Sequence, residues 1–198
     1  MTVAAAIDSS AARRAMIDGQ LRVSGISQSP VLAAIAAVAR ENFVPAAARG
    51  HAYIDRAISL DQGHALPAPL VQAMILENAD LAPADRVLVV SCGSGYLAAL
   101  VEAMGASVEV SDAADAAAGK PGGTGYSLIL IDGAIEHLPA GLVDLLGEGG
   151  RVVTGLVRGA VTSLATGRKQ AGAVTLLPIA DIGIPVLQEF AAPTSWSF

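Results

Sequence analysis

Apolar positions in the first part of the chain follow helical spacing. Over residues 10–23, Ala11, Ala15, Met16 and Leu21 make one stripe, with Ser9 or Ser10 as a cap and Gly25 as a stop, which predicts a first helix. Pro30 opens a second over 30–39, because proline is tolerated in a first turn and the run that follows favours helix. Residues 46–69 show little periodicity and predict an irregular strap over another layer; a helix over 70–79 follows. From residue 87 the pattern changes. Short apolar runs at 87–91, 107–111, 127–132 and 151–156 read as strands, with helices over 97–104 and 139–146, an alternation that predicts an α/β fold. Two last β-branched runs, 161–166 and 174–179, predict a terminal β-hairpin. The chain thus divides into a helical extension and strap over 1–80 and an α/β domain over 81–198, packed as one compact unit. Phe190, Trp196 and Phe198 read as an apolar clasp on the hairpin or, alternatively, as a protein-binding tail.

A length of 198 residues suits this arrangement, since such a chain buries roughly 70% of its unfolded surface. The chain is 53% hydrophobic but only 4% aromatic, so the core is aliphatic and platforms for stacking bases are scarce. A net charge of −6 also argues against nucleic acid, whose phosphates are held by Lys and Arg. Apolar segments such as 31–39 fall far short of the roughly 20 residues that cross a bilayer, and no basic start with an apolar core opens the sequence. A soluble protein without membrane partners is expected. The single cysteine, Cys92, rules out an internal disulfide, reads as a small buried filler and points to a reducing, cytoplasmic compartment. One cysteine and no paired histidine spacing give no metal-binding pattern.

The richest segment is 87–96, an apolar strand running through Ser91-Cys92-Gly93-Ser94-Gly95 into a helix at Tyr96. In a βαβ unit this sets the helix N-terminus over the strand end, and Gly93 and Gly95 let a ligand approach the backbone without a Cβ in the way. Asp112 closes the next strand at a separation suited to a carboxylate that accepts from ribose hydroxyls, whether of a dinucleotide or of S-adenosylmethionine. Plainer readings stay open: any strand-to-helix reversal favours glycine, and an acid at a strand end is often only solvated. His64 in the strap is either a base or carboxylate-binding donor, or a loop histidine bonded to backbone. Asp132 either faces a ligand or caps the next turn, and Glu136-His137 reads as a surface pair.

These features resemble the protein-L-isoaspartate O-methyltransferase family over nearly the full chain. Met16, Gln20-Leu21, Gly25-Ile26, Val31-Leu32, Arg40-Glu41-Asn42-Phe43-Val44-Pro45, Ala52-Tyr53-Ile54-Asp55, Gly63 and Pro69 match the order and spacing of its leader segment. Val87-Leu88, Gly93-Ser94-Gly95-Tyr96, the Asp132 region and residues 145–153 resemble its cofactor motif and the turn after it. The resemblance implies a Rossmann-like methyltransferase sheet with the helical extension and C-terminal hairpin. It also implies S-adenosylmethionine held by Ser91, Gly93, Gly95, Tyr96 and Asp112, and methyl esterification of isoaspartyl carboxylates in a protein or peptide substrate, a repair reaction. The sulfonium already activates the methyl group, so such a protein mainly aligns the carboxylate and excludes water.

Three departures from the family stand out. Its active-site serine falls at Pro67, which offers neither hydroxyl nor N–H. Val89 stands where the motif has an acid, and Ser91 where it has its first glycine. Finally, a helix, a third strand and another helix are replaced by residues 113–125, which at about 3.3 Å per residue span roughly 43 Å: enough to return under the sheet, too little to build those elements. The sheet is therefore expected to lack an edge strand, leaving 107–111 as an edge that the linker or a partner must cover. Weak or lost methyl transfer is expected; the alternative is a non-catalytic pseudo-methyltransferase that meets a protein partner as a scaffold.

Overall fold

In the computed structural model, which describes residues 9–192, the chain opens with α1 (Ser9–Met16) and a π turn, Ile17–Leu21. The wider turn sets Met16 and Leu21 five residues apart on the inner side, with Ile17 beside them, while Ala11 and Ala15 face solvent, contrary to the expected stripe. Gly25, at φ 93°, ends this segment as expected. After α2 (Ser29–Ala37) come two 3₁₀ turns, Arg40–Phe43 and Ala46–His51. The strap is less irregular than its sequence pattern, since β1 (Ile58–Ser59) pairs antiparallel with β2 (Ala65–Leu66). α3 (Pro69–Ala79) then leads into the sheet.

The sheet is built from β3 (Arg86–Ser91), β4 (Ser107–Asp112), β5 (Tyr126–Ile135), β6 (Leu146–Arg158), β7 (Val161–Gln170), β8 (Ala173–Val174) and β9 (Leu177–Asp181), with α4 (Tyr96–Ala103), α5 (Ala113–Ala117) and α6 (Ala140–Leu145) in the crossovers. The strand order is β4-β3-β5-β6-β7-β8, with β9 also on β7. β4, β3, β5 and β6 are parallel; β7 to β9 add the antiparallel end that the hairpin pattern predicts. Val87 to Val90 and Leu128 to Ile135 are buried without alternation, as strands covered on both faces require. The chain leaves β3 toward β4 and returns past it to β5, so right-handed crossovers put α4 and α5 on opposite faces. α4 packs beside α2, and α5 beside α6 and the 3₁₀ turn Gln188–Phe190. Ligands of such sheets bind where the strand order reverses, here beyond the C-terminal ends of β3 and β5.

Among the described residues β4 is an edge strand, paired to β3 alone. Within the linker, α5 forms where only loop was expected, because the Asp112 carboxylate caps it by accepting from the Asp115 N–H at 2.7 Å. The rest is gathered beneath the sheet: Arg86 donates to the Thr124 carbonyl at 2.6 Å and stacks on Tyr126, whose hydroxyl donates to the Gly122 carbonyl. None of the backbone hydrogen bonds of 113–125 reaches the outer edge of β4, and Val110 there is 52% exposed.

The C-terminal segment folds back along β5. Ala134 donates to the Pro185 carbonyl at 2.7 Å and accepts from Leu187 at 2.9 Å, while Phe190 is fully buried, the described member of the expected clasp. Trp196 and Phe198 lie outside the described residues. Glu136 and His137 do not pair with each other; Glu136 accepts from the Ala192 N–H, and His137 Nδ1 lies 3.0 Å from the Phe190 carbonyl, so both hold this segment. The fit depends on Gly133, where a Cβ would stand 2.6 Å from Leu187 Cγ. Gly133→Ala is expected to destabilise the protein by about 1–3 kcal/mol in urea denaturation and to speed amide exchange at Ala134 and Leu187, because overpacking must push the segment off β5.

Candidate active site

Beyond β3 the chain turns through Gly93 at φ 96° and Gly95 at φ 74°, and Gly95 caps α4. Both glycines occupy the left-handed region that the turn requires. Ser91, Gly93, Gly95 and Tyr96 thus share one turn as expected, and the register Ser91↔Asp112 sets Asp112 at the neighbouring strand end. Several of their polar groups bond within the protein. Ser91 Oγ accepts from the Gly93 N–H at 3.0 Å and the Gly95 N–H at 3.4 Å, and Ser94 Oγ accepts from the Tyr96 N–H at 3.2 Å. Asp112 caps α5 as described. The Tyr96 ring is buried under Phe43, at 5.4 Å between centroids, and under the Arg40 guanidinium at 5.1 Å, so it anchors the N-terminal turns. Val89 is buried in the strand.

Beneath this turn runs a polar chain that the sequence pattern did not reveal. Arg40, fully buried, donates from Nε to the Ala52 carbonyl at 2.8 Å, from one terminal nitrogen to the Pro67 carbonyl at 2.6 Å and from the other to Gln72 Oε1. Gln72 Nε2 in turn donates to both oxygens of Asp132, at 2.9 and 3.0 Å, and the Cys92 thiol donates to the same carboxylate at 3.1 Å. Only one orientation of the Gln72 amide satisfies a cation on one side and a carboxylate on the other. Burial pushes the Asp132 carboxyl up and the Arg40 guanidinium down, each opposed by the charge of the other, and burial beside Asp132 raises the Cys92 thiol. Asp132 is buried inside β5, where it accepts from Gln72 and Cys92 rather than capping a helix, and Cys92 is a hydrogen-bond donor as well as a filler. Pro67, at the family's serine position, presents its carbonyl to Arg40.

His64 leaves the strap on the other side of the turn. Its Nδ1 lies 3.7 Å from where a Cβ on Gly93 would stand, and its Nε2 is 2.7 Å from Glu189 Oε1. An open cleft of about 530 Å³ runs past His64, Gly93 and Ser94, bordered by Asn42, Phe43 and Gln62.

The family model for protein-L-isoaspartate(D-aspartate) O-methyltransferase matches residues 11–111. The chain belongs to this family. It is 35% identical to the protein-L-isoaspartate O-methyltransferase of Koribacter versatilis over 81% of this chain and 83% of that one, and 37% identical to that of Roseiflexus castenholzii over 71% and 75%. Among solved structures, a Plasmodium falciparum chain assigned to the same methyltransferases and bound to S-adenosyl-L-homocysteine covers 89% of this chain at a TM-score of 0.72 and 17% identity, a likeness of fold. The family match stops at Ser111, just before the shortened segment. Isoaspartyl methyltransferases are S-adenosylmethionine-dependent; in this conformation the N–H groups of Gly93, Gly95 and Tyr96 and one oxygen of Asp112 are bonded within the chain, and His64 stands beside Gly93.

Because breaking a buried charge relay strands the remaining charge, Arg40→Met is expected to cost about 3–5 kcal/mol in urea denaturation. Arg40→Met combined with Asp132→Val is expected to cost clearly less than the sum of the two single changes, since the second removes the charge that the first leaves unpaired.

Proposed function

We propose that this chain keeps the isoaspartyl methyltransferase fold with its S-adenosylmethionine-dependent methyl transfer weak or lost. The observation that supports the reading is that several polar groups at the positions the family resemblance assigns to cofactor and substrate already bond inside the protein. Ser91 and Ser94 satisfy the turn, Asp112 caps α5, and Pro67 contributes only a carbonyl that Arg40 takes. Each hydrogen bond denied to a ligand is worth about 0.5–1.5 kcal/mol, so losing three removes about 1.5–4.5 kcal/mol, roughly ten- to two-thousandfold in binding or positioning. The second reading, a non-catalytic module for a protein partner, draws on the unpaired outer edge of β4 with its half-exposed Val110. Its mark would be partner binding that is independent of S-adenosylmethionine and lost in Val110→Asp.

Methyl transfer from S-adenosylmethionine to an isoaspartyl peptide, with the aspartyl peptide as control and the Koribacter versatilis protein assayed in parallel, tests the proposal. A rate at least about a hundredfold below that relative is expected. A comparable rate confined to the isoaspartyl peptide would overturn it.

A further inference from the structure

We infer that Glu189 is a built-in carboxylate ligand of His64, at the wall of this cleft: it occupies the position at which His64 would otherwise bind the carboxylate of an incoming peptide. The inference rests on the reading of this cleft as an isoaspartyl methyltransferase site. It adds that the recognition element is His64 and that the chain supplies its own competitor.

Three observations carry it. First, the contact is long-range and specific, since His64 Nε2 meets Glu189 Oε1 at 2.7 Å across 125 residues while its other ring nitrogen sits against Gly93. Strap, glycine turn and C-terminal segment therefore converge on one imidazole. Second, the pair is only half satisfied: Glu189 Oε2 is buried with no hydrogen-bond partner among the described residues. A carboxylate with one oxygen bonded and the other buried and unpartnered is held less tightly than one with both bonded, so a ligand with better contacts can displace it. Third, the rest of the segment needs no help from Glu189. Phe190 is fully buried, Leu187 packs on Gly133, and Val186 bridges Ala134, so the segment stays docked while the side chain at 189 swings. Burial works against the Glu189 carboxylate, yet its own backbone N–H and His64 keep it below the usual carboxylate range, as an ionised ligand requires. The cleft of about 530 Å³ beside His64 opens past Gly93 and Ser94 and gives the competing group a way in.

The test follows the His64 imidazole by proton NMR during titration with an isoaspartyl peptide and with its asparaginyl analogue, in the full chain and in Glu189→Ala. The expected result is a saturable shift of the His64 signal by the isoaspartyl peptide in Glu189→Ala, at a Kd at least tenfold below that of the unaltered chain, with no shift by the asparaginyl peptide. Glu189→Gln, which keeps the volume of the side chain and removes its charge, is expected to gain in the same direction and guards against a folding defect in the alanine variant. Equal titration of all three proteins, or an equal response to the asparaginyl peptide, would overturn the proposal. The comparison is a ratio between variants, so its failure is distinct from failure of the functional reading, which shows as full methyl transfer by the unaltered chain.

Discussion

A buried cation holds this structure in register. Arg40 leaves water entirely, and the fold repays that by meeting it with two backbone carbonyls and the Gln72 amide, which passes the charge on to Asp132 in the middle of the sheet. Three layers are fixed at once: the N-terminal turns that carry Arg40, the strap that carries Ala52 and Pro67, and β5. Cys92 closes the chain of bonds at the root of the glycine turn. A charge so deeply placed tolerates few alternative arrangements, since any shift of the strap strands a donor in a low-dielectric interior. The position of the cleft relative to the sheet is thus a consequence of one guanidinium.

The same economy explains how a methyltransferase fold persists beside altered cofactor positions. A helix N-terminus leaves its first N–H groups without partners in the helix, and here Ser91 and Ser94 accept from N–H groups of the turn. The acid at the end of β4, Asp112, caps α5. Proline at the serine position gives up the hydroxyl but keeps the carbonyl on which Arg40 depends. Each departure from the family pattern satisfies a local requirement of the fold, and the shortened segment removes an edge without disturbing the order of the strands that remain.

Much of this was legible in the sequence, for reasons that can be named. The unbroken apolar runs of β3 and β5 and the glycines before α4 report strongly on local structure, so the sheet and its turn follow from pattern. The missing edge strand follows from chain length alone. What the pattern concealed is long-range. Gln72 reads as one polar residue in a helix, Arg40 as part of a polar run, and Glu189 as a surface acid before a phenylalanine; their roles arise only when segments up to 125 residues apart meet. α5 is hidden in the sequence because five residues carry little periodicity and its cap, Asp112, also suits a strand-end ligand acid; the hairpin of β1 and β2 is hidden because strands of two residues carry none. The inward face of the first helix was misjudged because a π turn breaks the spacing on which the stripe depended.

The glycine turn closes on itself through Ser91 and Ser94. Amide hydrogen exchange at Gly93 and Tyr96, followed in the free protein and with millimolar S-adenosylhomocysteine, tests it most directly. The account predicts that both amides are protected in the free protein, through Ser91 and Ser94, and that the ligand leaves their rates unchanged. Fast exchange in the free protein that slows strongly when the ligand is added would contradict it.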